Sequence, residues 1–215
     1  MEQRPVESNQ RETECGERKT MAEFEIAFDE TMLHEGGYAH DPDDPGGETY
    51  RGVARRFHPD WLGWKIVDEA KLPPPADLDA RLDENLELQR LVATFYRERF
   101  WKPILGEQLR DQSLANELFD TAVNLGVGTA IRFWQEALNL LNRDKRDYPE
   151  IEVDGVAGER TLSTTNRFLD LNREQPDRLL KVLNLLQGAK YLDLARKNPV
   201  QRKFLHGWLN RIRLN

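Results

Sequence analysis

The chain has 215 residues, 32% of them charged and 39% hydrophobic, with a formal net charge of −7. That length suits one large domain or two small ones around a real core. No apolar run is long enough to span a bilayer, the acidic balance argues against nucleic acid, and a single cysteine, Cys15, excludes an internal disulfide.

In chain order, residues 1–20 offer no packing side chains, no apolar h-region and no small-residue cleavage site. They read as a loose tail and not as a secretory signal. The protein is therefore expected to be made in the cytoplasm and carried or released by something else to any target beyond the membrane. Residues 21–35 read as the first helix, with Phe24, Phe28, Thr31 and Glu35 on one stripe. Gly36-Gly37 stops it. The following YAHDPDDPGGETYRGV is ordered-loop chemistry with a short hairpin.

Leu72–Pro75 is a proline break. The spacing then predicts a helix from Asp77 to about Phe100, with Leu78, Leu82, Leu86 and Phe95 inward. Ser113 is placed to N-cap a helix running to Leu125. Gly126 and Gly128 divide it from another, Thr129 to about Asn142, whose core face is Phe133, Trp134, Ala137, Leu138 and Leu141. A polar turn and IEVDGVAGERTL follow, with Thr161 or Asp154 as helix cap. Two or three more helices close the chain, one beginning near Pro176. The expected fold is mainly α, with a small irregular or β element after the first helix. Residues 1–20 form the tail, 21–125 a catalytic region, and 126–215 a helical region packed on it.

Glu35 breaks a local rule. It shares a helix face with Phe24 and Phe28 and stands at the negative end of the helix dipole. Burial and the dipole both disfavour a charged carboxylate, the setting in which a carboxylic acid keeps the proton that glycosidic cleavage needs. The same spacing also fits a Glu that extends from a frayed helix end. Next to it lie Asp41, Asp43 and Asp44, any of which can serve as base or stabilise an oxocarbenium-like transition state. Gly46-Gly47 lets backbone and substrate approach, and Thr49 can hold a water. Two metal readings fail. His34-Glu35-Gly36-Gly37-Tyr38 has Tyr where H-E-x-x-H needs its second His. A calcium loop begun at Asp41 would have Pro45 at position five and Gly52 in place of the closing Glu.

HEGGYAHDPDDPGGETYRGV resembles the signature of glycoside hydrolase family 108, with E-G-G-Y, D-P-x-D-P-G-G and T-x-x-G-V in order. FYRERFW, LFDTAVNLGVGTAIRFWQEAL, VDGVAGERTL and GWLNRIR resemble later elements of the same family and of its peptidoglycan-binding region, so the resemblance covers about residues 20–213. It implies a lysozyme-like fold and an N-acetylmuramidase that cleaves the β-1,4 bond between N-acetylmuramic acid and N-acetylglucosamine, with Glu35 as acid. Phage-type lysozymes of another family keep Glu, Asp and Thr in the same order, which points to Asp44 as second carboxylate, with Asp41 as alternative, and to Thr49 as the residue holding water. The family often has a small residue where this chain has Glu48.

Candidate substrate contacts are Tyr38, Gly46, Gly47, Tyr50, Asn124 and Trp61. Asn124 pairs with Asp120 four residues earlier, which also fits a satisfied polar pair in a bundle. Trp61 and Trp64 are candidates for stacking on sugar, whereas Trp101 and Trp134 read as core. Lys190–Asn215 carries seven Lys/Arg and one Asp, a surface for an anionic polymer or a solvated helix face. No cofactor and no metal are expected. The expected partners are peptidoglycan glycan strands and a holin or secretion machinery for export, with no nucleic acid and no stable membrane insertion, and the protein is expected to be a monomer. It would act in the periplasm or on the cell wall after release. The alternatives are a lytic transglycosylase and a non-catalytic wall-binding or virion structural protein.

Overall fold

The first helix, α1 (Phe24–Met32), buries Phe24, Ala27 and Thr31. The structure is a computed structural model that describes residues 21–33, 35–40, 47–173, 175 and 177–213. α1 ends three residues short of Glu35, earlier than the apolar spacing predicts. Leu33 already projects outward, 83% exposed, and the chain bends there. Glu35 sits in the bend, and its N–H donates to the Met32 carbonyl at 3.3 Å.

The expected hairpin is a three-stranded antiparallel meander of β1 (Tyr38–His40), β2 (Glu48–Tyr50) and β3 (Val53–Ala54). Tyr38 pairs with Tyr50, Ala39 with Thr49, and His40 with Glu48. Successive residues of β2 point to opposite faces, so Glu48 and Tyr50 share one side and Thr49 takes the other.

After α2 (Gly63–Ala70) the single helix expected over residues 77–100 is two: α3 (Leu78–Asp83) and α4 (Leu86–Tyr96). Asp77 caps the first through Ala80 N–H at 3.0 Å, and Asn85 caps the second through Leu88 N–H at 2.9 Å. An Asn side chain that takes up an orphan helix donor starts a new helix instead of continuing the old one. The break turns Leu86 outward, 73% exposed, whereas Leu82, Leu88 and Val92 are buried. A wider π turn over Arg97–Trp101 closes α4 and drives Trp101 into the core.

The central helix α5 (Gln112–Leu125) starts two positions earlier than expected. Asp111, and not Ser113, is its cap, accepting from Leu114 N–H at 2.8 Å. Gly126, at φ +88, reverses the chain into α6 (Val127–Leu140), a conformation costly for any residue with a Cβ. α7 (Glu159–Leu171), α8 (Asp177–Lys197) and α9 (Leu205–Leu209) follow. Neither Asp154 nor Thr161 caps α7. Asp154 accepts from Val156 N–H and Gln135 Nε2, both at 2.8 Å, and Thr161 is buried. Pro176 lies outside the described residues. The fold is mainly α and lysozyme-like, as expected.

α5 is the axis of the packing. On one side it meets α1, on the other α6 and α8. Phe24, Trp101 and Phe119 form an edge-to-face aromatic triangle with centroids 5.8 Å apart on each side, and Phe28 and Tyr96 extend it toward the hairpin. Leu114, Ala115, Leu118, Phe119 and Ala122 of α5 are all buried. A fragment ending at Leu125 would strip α6 and α8 from this helix and expose its apolar stripe to water, at roughly 25 cal/mol per Å² of apolar surface. Residues 1–125 alone are therefore expected not to melt cooperatively and not to clear a peptidoglycan suspension. A melting curve and a turbidity assay on that fragment check both expectations.

Candidate active site

Glu35 is bonded by a side chain from the far end of the sequence. Its carboxyl is 19% exposed, and Oε1 accepts from Arg211 Nη2 at 3.1 Å. Arg211, just beyond α9 and only 7% exposed, sends Nη1 to Asp120 Oδ1 of α5 at 2.5 Å. Asp120 Oδ2 accepts from Gln187 Nε2 of α8 at 3.4 Å. The apolar surroundings expected for Glu35 are thus replaced on one side by a guanidinium.

On its other side Glu35 faces Gly52. A Cβ at Gly52 would stand 2.8 Å from Glu35 Oε2 and 2.2 Å from the Tyr96 hydroxyl, and its φ is +76. Space and conformation both demand glycine there. Tyr96 is buried and donates to the Arg51 carbonyl at 2.9 Å. Burial first, then the Glu35 charge, push its hydroxyl pKa well above the ordinary value. Among the described residues nothing donates a hydrogen bond to Oε2, which lies against Gly52.

The hairpin beside Glu35 is anchored by charge. Tyr38 N–H donates to Asp79 Oδ1 at 2.6 Å, and its hydroxyl to Glu48 Oε1 at 2.9 Å. The Glu48 side chain, only 10% exposed, is held by Arg55 at 2.5 Å and by Lys71. Burial pushes its pKa up, but Lys71, Arg55 and Tyr38 together hold it below the usual range. Arg55 also grips Asp68 at 2.5 Å and is the main reason that carboxyl is drawn down to about 2. The charge at Glu48, unusual for the resembled family, therefore pins β2 to α2.

The predicted residues divide accordingly. Thr49 and Gly47 lie half-buried on the hairpin. Thr49 Oγ1 donates to the Gly47 carbonyl at 3.4 Å. Among the described residues nothing lies within 4 Å of a Cβ placed on Gly47. Tyr38 is half-buried in the ion cluster. Tyr50 is fully buried, donating to Asp83 at 3.1 Å and accepting from Gln89 at 2.9 Å. It packs the hairpin and offers no surface to a sugar. Trp61 is half-buried edge-on to Trp64, 5.3 Å away. Trp64 is buried, its indole N–H on the His58 carbonyl. Asn124 is half-buried one turn beyond Asp120. Trp101 and Trp134 are core, as read. Asp41, Asp43, Asp44 and Gly46 lie outside the described residues.

Arg211, Tyr96, Gly52 and Glu117 were not singled out from sequence. Arg211 lies in the basic C-terminal stretch, where its charge resembles that of its exposed neighbours, and only the Asp120 and Glu35 contacts separate it from them. Glu117, one turn before Asp120, is 6% exposed and lines a polar cleft with Glu30, Asn116, Asp120 and Arg211.

Residues 28–126 match the family described as glycosyl hydrolase 108, and residues 129–213 match the predicted peptidoglycan domain. The chain thus carries a glycosyl hydrolase 108 domain followed by a predicted peptidoglycan domain. The structure of Brucella abortus SagA is similar, at 21% identity over 88% of each chain with a TM-score of 0.54. At that identity the likeness concerns the fold. No curated protein matches the chain. As a glycoside hydrolase coupled to a peptidoglycan domain, it is a peptidoglycan hydrolase. No helix among its described residues is long and apolar enough to cross a membrane.

Glu117 carries a pH dependence of stability. Burial chiefly, then the neighbouring Asp120 charge, push its pKa up to about 7, against about 4.3 for a free Glu. The folded state therefore holds the proton more tightly than the unfolded one. That stabilisation is complete below about pH 4 and fades as pH rises through about 7. The denaturation midpoint of this hydrolase is expected to fall between about pH 5 and 8. Glu117→Gln should remove much of that fall, as urea titrations across the range will show.

Proposed function

We propose that the enzyme is an N-acetylmuramidase, hydrolysing the β-1,4 bond between N-acetylmuramic acid and N-acetylglucosamine, with Glu35 as general acid. The observation that carries this reading is the Glu35 carboxyl itself. It stands in the E-G-G-Y element of the matched region, with Oε1 anchored on Arg211 and Oε2 facing the backbone of Gly52. In this reading Oε2 delivers a proton to the glycosidic oxygen of the bound strand. Loss of the leaving group produces an oxocarbenium-like centre that a second carboxylate stabilises. Asp44 is our choice for that role and Asp41 the alternative. Thr49, on the face of β2 opposite Glu48 and Tyr50, is proposed to hold the attacking water. We propose further that the enzyme works on the wall side of the membrane after release from the cytoplasm.

Glu35→Gln keeps shape and size but has no proton to transfer. Its turnover on purified peptidoglycan is expected to fall about 10²–10⁴-fold, the usual worth of a general acid, in a variant that still melts cooperatively. Mass analysis of wild-type products should find reducing-end muramic acid. Anhydromuramic ends would identify a lytic transglycosylase, and absence of any product a wall-binding protein that only keeps the fold.

Asp44→Asn is expected to lower turnover far more than Asp43→Asn, since Asp44 is the carboxylate that falls in the Glu–Asp–Thr order of phage-type lysozymes. Greater damage from Asp41→Asn in the same assay would transfer the role to Asp41.

A further inference from the structure

We infer that Arg211, supplied by the peptidoglycan-domain half, is a positioning residue for the Glu35 carboxyl, so that the active site is complete only with the C-terminal half in place. The inference rests on the assignment of Glu35 as general acid.

The backbone alone does not hold Glu35. It lies beyond the end of α1, is followed by Gly36-Gly37, and is tied locally by one 3.3 Å bond to Met32. A glutamate there loses several rotatable bonds' worth of freedom when it is fixed. Arg211 supplies the fixing contact, and it is itself well fixed. Its side chain is 7% exposed and its shorter arm, 2.5 Å, goes to Asp120 on the most buried helix of the fold. Two residues on, Arg213 N–H donates to the buried Asn184 of α8 at 2.5 Å, and its guanidinium reaches Glu30 of α1 at 3.0 Å. The segment that carries Arg211 is therefore clamped from both sides.

The fork also divides the charge. Asp120 takes the closer contact, leaving Glu35 the longer, 3.1 Å contact on Oε1 alone. Oε2 stays over Gly52, beside the Tyr96 hydroxyl and away from the guanidinium. A planar guanidinium can hold two carboxylates at once in fixed directions, whereas an ammonium is a point charge without that fork. Arg211 thus orients Glu35 without covering the oxygen that acts.

Arg211→Ala, Arg211→Lys, Asp120→Asn and Glu35→Gln are compared for product release from purified peptidoglycan, over a range of substrate concentrations, with folding checked by melting curves. Arg211→Ala is expected to lose about 10- to 100-fold in turnover, the scale set by roughly 1 Å of misplacement at a reacting group. Its half-saturating substrate concentration should stay within about threefold of wild type. Millimolar guanidinium should restore part of the lost turnover, which repair of a merely structural defect would not do. Arg211→Lys should recover only part of it. Folded Arg211→Ala with wild-type turnover, beside an inactive Glu35→Gln, overturns the positioning role and leaves the Glu35 assignment standing. An active Glu35→Gln overturns the assignment itself. If Arg211→Ala does not fold, Asp120→Asn decides. It keeps the size of the side chain but loosens the guanidinium, and about tenfold lower turnover is expected, whereas unchanged turnover overturns the inference.

Discussion

One guanidinium bridges two carboxylates at the centre of this molecule. Arg211 arrives from beyond the last helix, Asp120 from the central helix, and Glu35 from the bend after the first. All three are largely out of water, so the contact differs in kind from the surface pairs elsewhere. Exposed pairs such as Lys102–Glu98 or Lys197–Asp193 contribute about 0–1 kcal/mol. Removing one member of a buried group leaves the others uncompensated, at a cost of about 3–5 kcal/mol. The two halves of the chain are therefore joined where the chemistry is proposed, through α5.

The aromatic core and the hairpin network make that junction possible. Phe24, Trp101 and Phe119 lock α1 against α5 and thereby set where the chain emerges at Glu35. Tyr96 reaches from the same cluster to the Arg51 carbonyl and packs beside Gly52. On the far side of the hairpin, Glu48, Arg55, Asp68 and Lys71 bind β2 to α2, while Asp83 takes Tyr50 and Arg51. The short strands bury little apolar surface of their own, and a sheet of this size is marginal in isolation. Ion pairs and tyrosine hydroxyls hold it instead. Tyr50 is spent on that task, which is why a residue predicted to meet the substrate is found in the core.

Much of this was legible from residue order. The helical class, the hairpin after the first helix, the glycine turn between α5 and α6, and the core roles of Trp101 and Trp134 all follow from periodicity and turn chemistry, which are local properties. Glu35 was legible for two reasons: a carboxylate on an apolar stripe contradicts its surroundings, and its motif resembles that of a known family. Helix boundaries were less so. Asp111 displaced Ser113 as a cap and Asn85 split a predicted helix in two, because several residues nearby can cap and the choice depends on which geometry the packing allows.

What only the tertiary structure decided is who meets whom at the site. Arg211 stands 176 positions from Glu35 in the chain and 91 from Asp120, and no pattern within a window of the sequence can pair residues that far apart. The basic C-terminal stretch looked uniform because charge is counted along the chain. Folding buries one of its arginines between two acids and leaves Arg196 and Lys203 facing solvent. The sequence by itself determined the helical class and singled out Glu35 as the candidate acid, since those depend on neighbours a few residues away. The partner that holds the acid was decided by packing, since an ion pair across the molecule exists only once α1, α5 and the C-terminal segment have come together.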